Sequence, residues 1–148
     1  MTTTSRAPVV RARLTELLRL WLPDDVTVAY SLAEGGLRAR KHVTTLGATA
    51  ISQEWAPLGA RARDEAFTLG IEIVCGAPGE TCQSAYESAY GILATIEREL
   101  TVTPAAVTLG LTTTYLEVAL RAVEETEQPT DEGWIVTLTV ALAVHARI

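Results

Sequence analysis

Lysine is almost missing from this chain. The sole one is Lys41, and the formal net charge is −6. A protein that grips nucleic acid over a broad surface needs clustered Lys and Arg, so that class is disfavoured. Histidine and cysteine are also scarce, two of each. His42 and His145 lie far from Cys75 and Cys82 and from each other, and no zinc spacing is present. Nucleophile elbows, phosphate loops and dinucleotide fingerprints are absent as well. Gly35-Gly36 has no strand-then-helix frame with a following Lys-Ser or Lys-Thr. No catalytic, cofactor-binding or metal residues are therefore expected, although catalytic sets converge in space rather than in sequence. Aromatic residues are only 5%, so the core must be aliphatic. No apolar run approaches the length needed to cross a bilayer, so no membrane partner is expected. Residues 134–144 come nearest, but they are too few and punctuated by threonines. The amino end, Met1-Thr2-Thr3-Thr4-Ser5, is polar and lacks signal-peptide features. A soluble protein made in the cytoplasm is the expectation.

What is present is alternation. In residues 63–75, Phe67, Leu69, Ile71, Ile73 and Cys75 fall on one side, and Thr68, Gly70 and Glu72 on the other. A period of two over this length predicts a strand with one buried face. The charged triplet that opens it, Arg63, Asp64 and Glu65, reads as a solvated strand end or a bridge to a neighbouring subunit. Paired acids can do acid–base chemistry, but strand neighbours point to opposite faces, which argues against a catalytic pair.

Other segments supply neighbours and a cover. Residues 1–7 are expected to be frayed. A helix starts near Pro8, tolerated in a first turn, and stops at Pro23. Val10, Leu14, Leu17, Leu18 and Trp21 form its apolar stripe, with Arg11, Arg13, Glu16 and Arg19 off it. Val26, Val28 and Tyr30 mark a short strand. After Gly35-Gly36 the chain turns basic at Arg38, Arg40 and Lys41, which reads as an arm or long hairpin loop. Residues 42–53, with Val43, Leu46 and Ile51, read as one further strand. Beyond the Gly76-Ala77-Pro78-Gly79 turn, Ser84 and Glu87 fit a capping box. Tyr86, Ala89, Tyr90, Leu93, Ile96 and Leu100 form the stripe of a second helix. Cys75 ends a buried face and Cys82 opens this helix, so two thiols are expected, with a disulfide across the turn as the alternative.

The final pair of strands reads as a hairpin. In residues 115–124, Leu116, Val118, Leu120 and Ala122 face inward. An acidic turn follows, with Glu124, Glu125, Glu127, Asp131 and Glu132. The last strand buries Trp134, Val136, Leu138, Val140, Leu142 and Val144, and its other face is small enough to meet another chain. The sum is one α+β domain over residues 1–148. It has a single mainly antiparallel or mixed sheet of about five strands, with two helices on one face.

The order helix, strand near Val26–Tyr30, Glu54-Trp55 with Gly59, then Arg63-Asp64-Glu65-Ala66-Phe67 into a strand carries a resemblance. So do the Tyr- and Ala-rich helix and the long closing hairpin to Val144-His145-Ala146-Arg147-Ile148. Over residues 9–148 the chain resembles the tail terminator proteins of long-tailed bacteriophages. The resemblance implies a virion protein at the tail–head junction, made in the host cytoplasm, and not an enzyme. Such proteins cap the tail tube as a ring, typically a hexamer. They end tube polymerisation and provide the head–tail joining surface. The implied partners are copies of itself, the tail tube protein and a head-completion or connector protein, with DNA passing through the bore without specific binding. No cofactor and no catalytic motif comes with the family.

A ring needs one patch to meet a different patch on the next copy. Arg38, Arg40 and Lys41 are complementary in charge to Glu124, Glu125, Glu127, Asp131 and Glu132. Together with Arg63, Asp64 and Glu65 they are the expected contacts to subunit or tube. The alternatives are another head–tail connector or neck protein and, from a different class, a small α+β enzyme or ligand-binding domain.

Overall fold

A computed structural model describes residues 5–31, 41–55, 63–78, 81–102, 109, 111, 116–130 and 133–147. Two helices and six strands follow in the order α1 (Ala7–Trp21), β1 (Thr27–Ala29), β2 (Lys41–Thr45), β3 (Thr49–Trp55), β4 (Arg63–Pro78), α2 (Cys82–Val102), β5 (Leu116–Thr130) and β6 (Gly133–Arg147). The strands make one sheet in the order β1-β2-β4-β6-β5, with β3 also paired to β4. Only β1 and β2 run parallel, and the other pairings are antiparallel. This is the α+β fold expected, with a sixth strand.

β4 and β6 are the sheet's spine. They pair without interruption from Asp64↔Arg147 to Pro78↔Gly133. Phe67, Leu69, Ile71, Ile73 and Cys75 of β4 are buried, as are Val136, Leu138, Val140, Leu142 and Val144 of β6. Both rows point toward the helices. Each such aliphatic side chain contributes about 1.5–3 kcal/mol when taken from water. α1 adds Val10, Leu14 and Leu18, and α2 adds Ala85, Ala89, Ile92, Leu93, Ile96 and Leu100, to the same core. Leu17 and Trp21 pack against it half-buried.

α1 begins with proline in its first turn. Ala7, expected in a frayed end, is buried there, and the backbone N–H of Arg6 donates to the Glu65 carboxylate at 2.8 Å. α2 is capped one turn earlier than the sequence suggested. The Thr81 hydroxyl accepts from the Ser84 N–H at 3.3 Å, so Ser84 lies inside the helix. The side-chain oxygen satisfies an otherwise unpaired first-turn donor.

The segment read as one strand over 42–53 is two. β2 pairs with Ile71–Cys75 of β4, and β3 pairs with Arg63–Thr68 on the same edge. Between them Leu46 donates its N–H to the Gly70 carbonyl at 2.8 Å and lays its side chain over Gly70. A Cβ at position 70 would meet Leu46 Cδ1 at 3.0 Å. The glycine in mid-strand marks this close approach.

β5 departs furthest from expectation. It does not end at Glu124 but continues to Thr130, so the acidic segment is strand, not turn. Its register slips between Leu120 and Ala122. A bulge moves every later side chain to the other face. Ala122, expected inward, is exposed and pairs with Ala141 of the outer face. Val123, Glu125 and Glu127 take the helix side instead.

Candidate assembly surface

The three expected contact groups fare differently. Arg38, Arg40, Asp131 and Glu132 lie outside the described residues. Lys41 opens β2 and pairs with Asp25 at 3.1 Å, both partly exposed. It therefore sits at the sheet's β1–β2 corner with a carboxylate already beside it.

The triplet at the start of β4 is split: Arg63 is exposed and Asp64 half-exposed, as a solvated strand end would have them, but Glu65 is internal, contrary to that expectation. Glu65 is on the helix side and only 1% exposed. Its two oxygens accept from the Arg6 N–H at 2.8 Å and from Gln53 Nε2 at 2.8 Å. Gln53 Oε1 accepts in turn from Arg63 Nη1 at 3.3 Å. Asp64 faces the other way and receives Arg147 Nε at 2.8 Å and Nη2 at 3.3 Å. The Arg147 hydrogen bond holds the Asp64 carboxyl below its usual range, with partial burial opposing and the guanidinium charge adding to it. These acids tie α1, β3, β4 and β6 together.

A cleft of about 410 Å³ opens beside them, lined by Ser52, Glu54, Asp64, Glu65, Ala66 and the β6 end with His145. Its chemistry is weak. Asp64 and Glu65 are occupied by the partners just named, and no His, Cys, Asp and Glu group among the described residues could hold a metal ion. His42 is buried, with the Thr44 hydroxyl 3.2 Å from its Nε2. His145 is exposed on the far face of the sheet. Cys75 is a buried free thiol and Cys82 a half-buried one. Burial and the nearby Glu127 carboxylate, which accepts from its Sγ, push the Cys82 thiol up. Burial takes Cys75 to about 11. Neither is an activated nucleophile, which would need the thiolate favoured.

On β5 the bulge brings the acids to α2. Tyr86 donates its hydroxyl to Glu127 Oε2 at 2.9 Å, and Tyr90 donates to Glu125 Oε2 at 2.5 Å. Glu124 points to the opposite face, in register with Thr139. The sequence placed the two tyrosines in an apolar stripe. Their spacing of one helical turn was the available signal for a paired latch, but it pointed to carboxylates only once the bulge was known.

A consequence concerns alkali. The Glu127 hydrogen bond, then desolvation and nearby charge, raise Tyr86 from 10.0 to about 12, and Glu125 raises Tyr90 in the same way. Each folded-state pKa is raised, so the stabilisation is full below about pH 10 and is lost as pH climbs through the folded value. Ultraviolet titration of the four tyrosines is expected to show a late step near pH 12 that vanishes in Tyr86→Phe. Ionisation of every tyrosine near 10 would contradict the latch.

Among the described residues, β3 and β5 each present an exposed edge. On β3, Thr49, Ala50, Ile51, Ser52, Gln53 and Glu54 are all exposed, Ile51 at 49%. On β5, residues 119–122 are exposed, Leu120 at 37%. Beside β5 runs a groove of about 620 Å³, floored by Ala94, Leu100, Val118 and Leu120 and rimmed by Glu97 and Arg98 of α2. No protein-family description and no curated protein matches the chain.

Proposed function

We propose that this chain is a structural subunit of a bacteriophage tail. It caps the tail tube as a ring, ends tube polymerisation and offers the surface that joins tail to head. One observation carries the reading: among the described residues the single sheet has two unlike strand edges with no further strand paired to them, β5 on one side and β3 with the β1–β2 corner on the other. Unlike edges make head-to-tail contacts, and head-to-tail contacts close into rings when the rotation fits. Open edges also invite another chain to pair.

Charge supports the same reading. Lys41 is in register with Cys75, Cys75 with Val136, and Val136 with Glu127. The basic and acidic groups therefore stand level on opposite sides of the sheet, where complementary charge would set the register of neighbouring copies. An acidic subunit also suits a bore through which DNA slides without sticking. The acidic cleft at the β4 start is what an enzyme or ligand-binding reading would use, but two of its carboxylates, Asp64 and Glu65, are occupied by internal hydrogen bonds. A neck or connector protein would share the ring logic, and tube-end binding separates the two.

The test is light scattering with negative-stain imaging of the purified chain, alone and with tail tubes. Rings that sit on tube ends are expected. Charge reversal of Arg38, Arg40 and Lys41 to Glu is expected to weaken assembly and tail joining. A monomer at high concentration, indifferent to tubes, would overturn the assignment.

A further inference from the structure

We infer that the open edge of β5 pairs antiparallel with the β3 edge of a second copy of this chain, seating Ile51 of that copy in the groove between β5 and α2. The inference rests on the ring reading and names the joint that builds it.

Direction is the first argument. β3 and β6 both run antiparallel to β4, and β5 runs antiparallel to β6. β5 and β3 therefore run in opposite senses within one subunit. Rotation about an axis along the strands preserves both senses, so β5 of one copy meets β3 of the next as an antiparallel pair. Such an added strand gains main-chain hydrogen bonds, and side-chain pockets beside the edge give selectivity.

Level is the second. Thr49 is in register with Thr68, Thr68 with Ala143, and Ala143 with Ala119. With the ring axis taken along the strands, a cyclic ring has no rise in that direction, and Thr49 and Ala119 of adjacent copies then face each other.

Face is the third. Leu120 is in register with Leu142, a core residue on the helix side. Ile51 borders the small hollow formed by Ala7, Pro8, Arg11 and Tyr30, which is also on the helix side. Two exposed aliphatic side chains on opposite edges thus point to the same side of the joined sheet. There the groove floor of Ala94, Leu100 and Val118 is available.

Shape is the fourth. The β3 edge is set back by a strand from the β1–β2 corner, with the step at Leu46 and Gly70. The β5 bulge lies at the same level, since Leu120 and Ala122 reach Leu69 and Gly70 through Leu142 and Ala141. Bulges bend the strand that carries them. Residues 116–120 can therefore fill the recess while the outer half of β5 bends past the corner. That outer half is guarded against pairing by Glu124, Glu125, Glu127 and Pro129, the usual edge protections.

The test uses exposed positions. In a Cys82→Ser background, Thr49→Cys and Ala119→Cys together are expected to give a disulfide ladder up to the full ring under mild oxidation with copper phenanthroline. A mixture of the two single variants should stop at dimers, as a head-to-tail joint requires. Pairing Thr49→Cys with Gln128→Cys should cross-link at least tenfold more slowly. Ile51→Lys is expected to raise the concentration needed for assembly at least tenfold without lowering the subunit's melting temperature. Rings that form without the 49–119 cross-link would overturn this joint and leave the ring standing. A chain that never assembles would overturn both, and Ile51→Lys rings at the wild-type concentration would overturn the seating in the groove.

Discussion

Ile71→Ala is expected to remove about 2–5 kcal/mol of folding stability, the usual cost of a large-to-small change in a core that cannot collapse. Ile71 is fully buried and pairs with Thr45 of β2 on one side and Val140 of β6 on the other. It stands in the middle strand, directly under both helices' shared core. The side chains around it are fixed by backbone ladders on two sides, so the void left by truncation has little room to close. A domain of this size holds about 5–15 kcal/mol in total, so the variant should unfold at a much lower urea concentration with an unchanged slope. Ile51→Ala is the comparison. Half-exposed on β3, it should cost no more than about 0.5 kcal/mol in the isolated subunit. Equal losses at the two sites would mean that β4 is not the centre of the fold.

The strands that carry a strict alternation are legible in the sequence. Phe67 to Cys75 and Val136 to Val144 bury the residues their period assigns, because the period of two is a property of the backbone itself. α1 was legible for the same kind of reason, with Pro8 and Pro23 bounding a stripe at helical spacing. What escaped was everything set by single irregularities. Nothing in residues 42–53 announces that Leu46 breaks the strand to cover Gly70. Nothing in residues 116–124 announces a bulge at Arg121, and one extra residue was enough to exchange Ala122 for Val123 on the inner face. The acidic segment looked like a turn because Glu124 to Glu127 have poor strand propensity. Long pairing with the strongly β-forming β6 overrides that weak preference.

The same logic governs the proposed surface. Charge could be counted from the sequence, but its placement could not. Lys41 and Glu127 stand level only through the register of three intervening pairings. Glu65 illustrates the reverse error. In sequence it shares a charged triplet with Arg63 and Asp64, and only the fold separates a buried anchor from a surface ion pair.

That separation has a measurable outcome. Glu65→Ala is expected to cost about 1–3 kcal/mol, the range for stranding a buried hydrogen-bonding group. The Arg6 N–H at the start of α1 loses its acceptor, and Gln53 loses its partner on β3. The damage should begin locally. Amide exchange in the first turn of α1, including the Val10 N–H that donates to the Arg6 carbonyl at 3.0 Å, should quicken before the sheet is affected. Glu65→Gln keeps a carbonyl acceptor and should recover part of the loss. Asp64→Ala removes a half-exposed pair with Arg147 and should cost much less than Glu65→Ala, because solvent screens surface ion pairs. Asp64 also sets the acid limb. Its folded pKa is lowered, so the pair's contribution is present above the ordinary aspartate value and fades as pH falls through the folded one. If Asp64→Ala proved as damaging as Glu65→Ala, burial would not be what distinguishes the two neighbours, and the anchoring role given to Glu65 would fall.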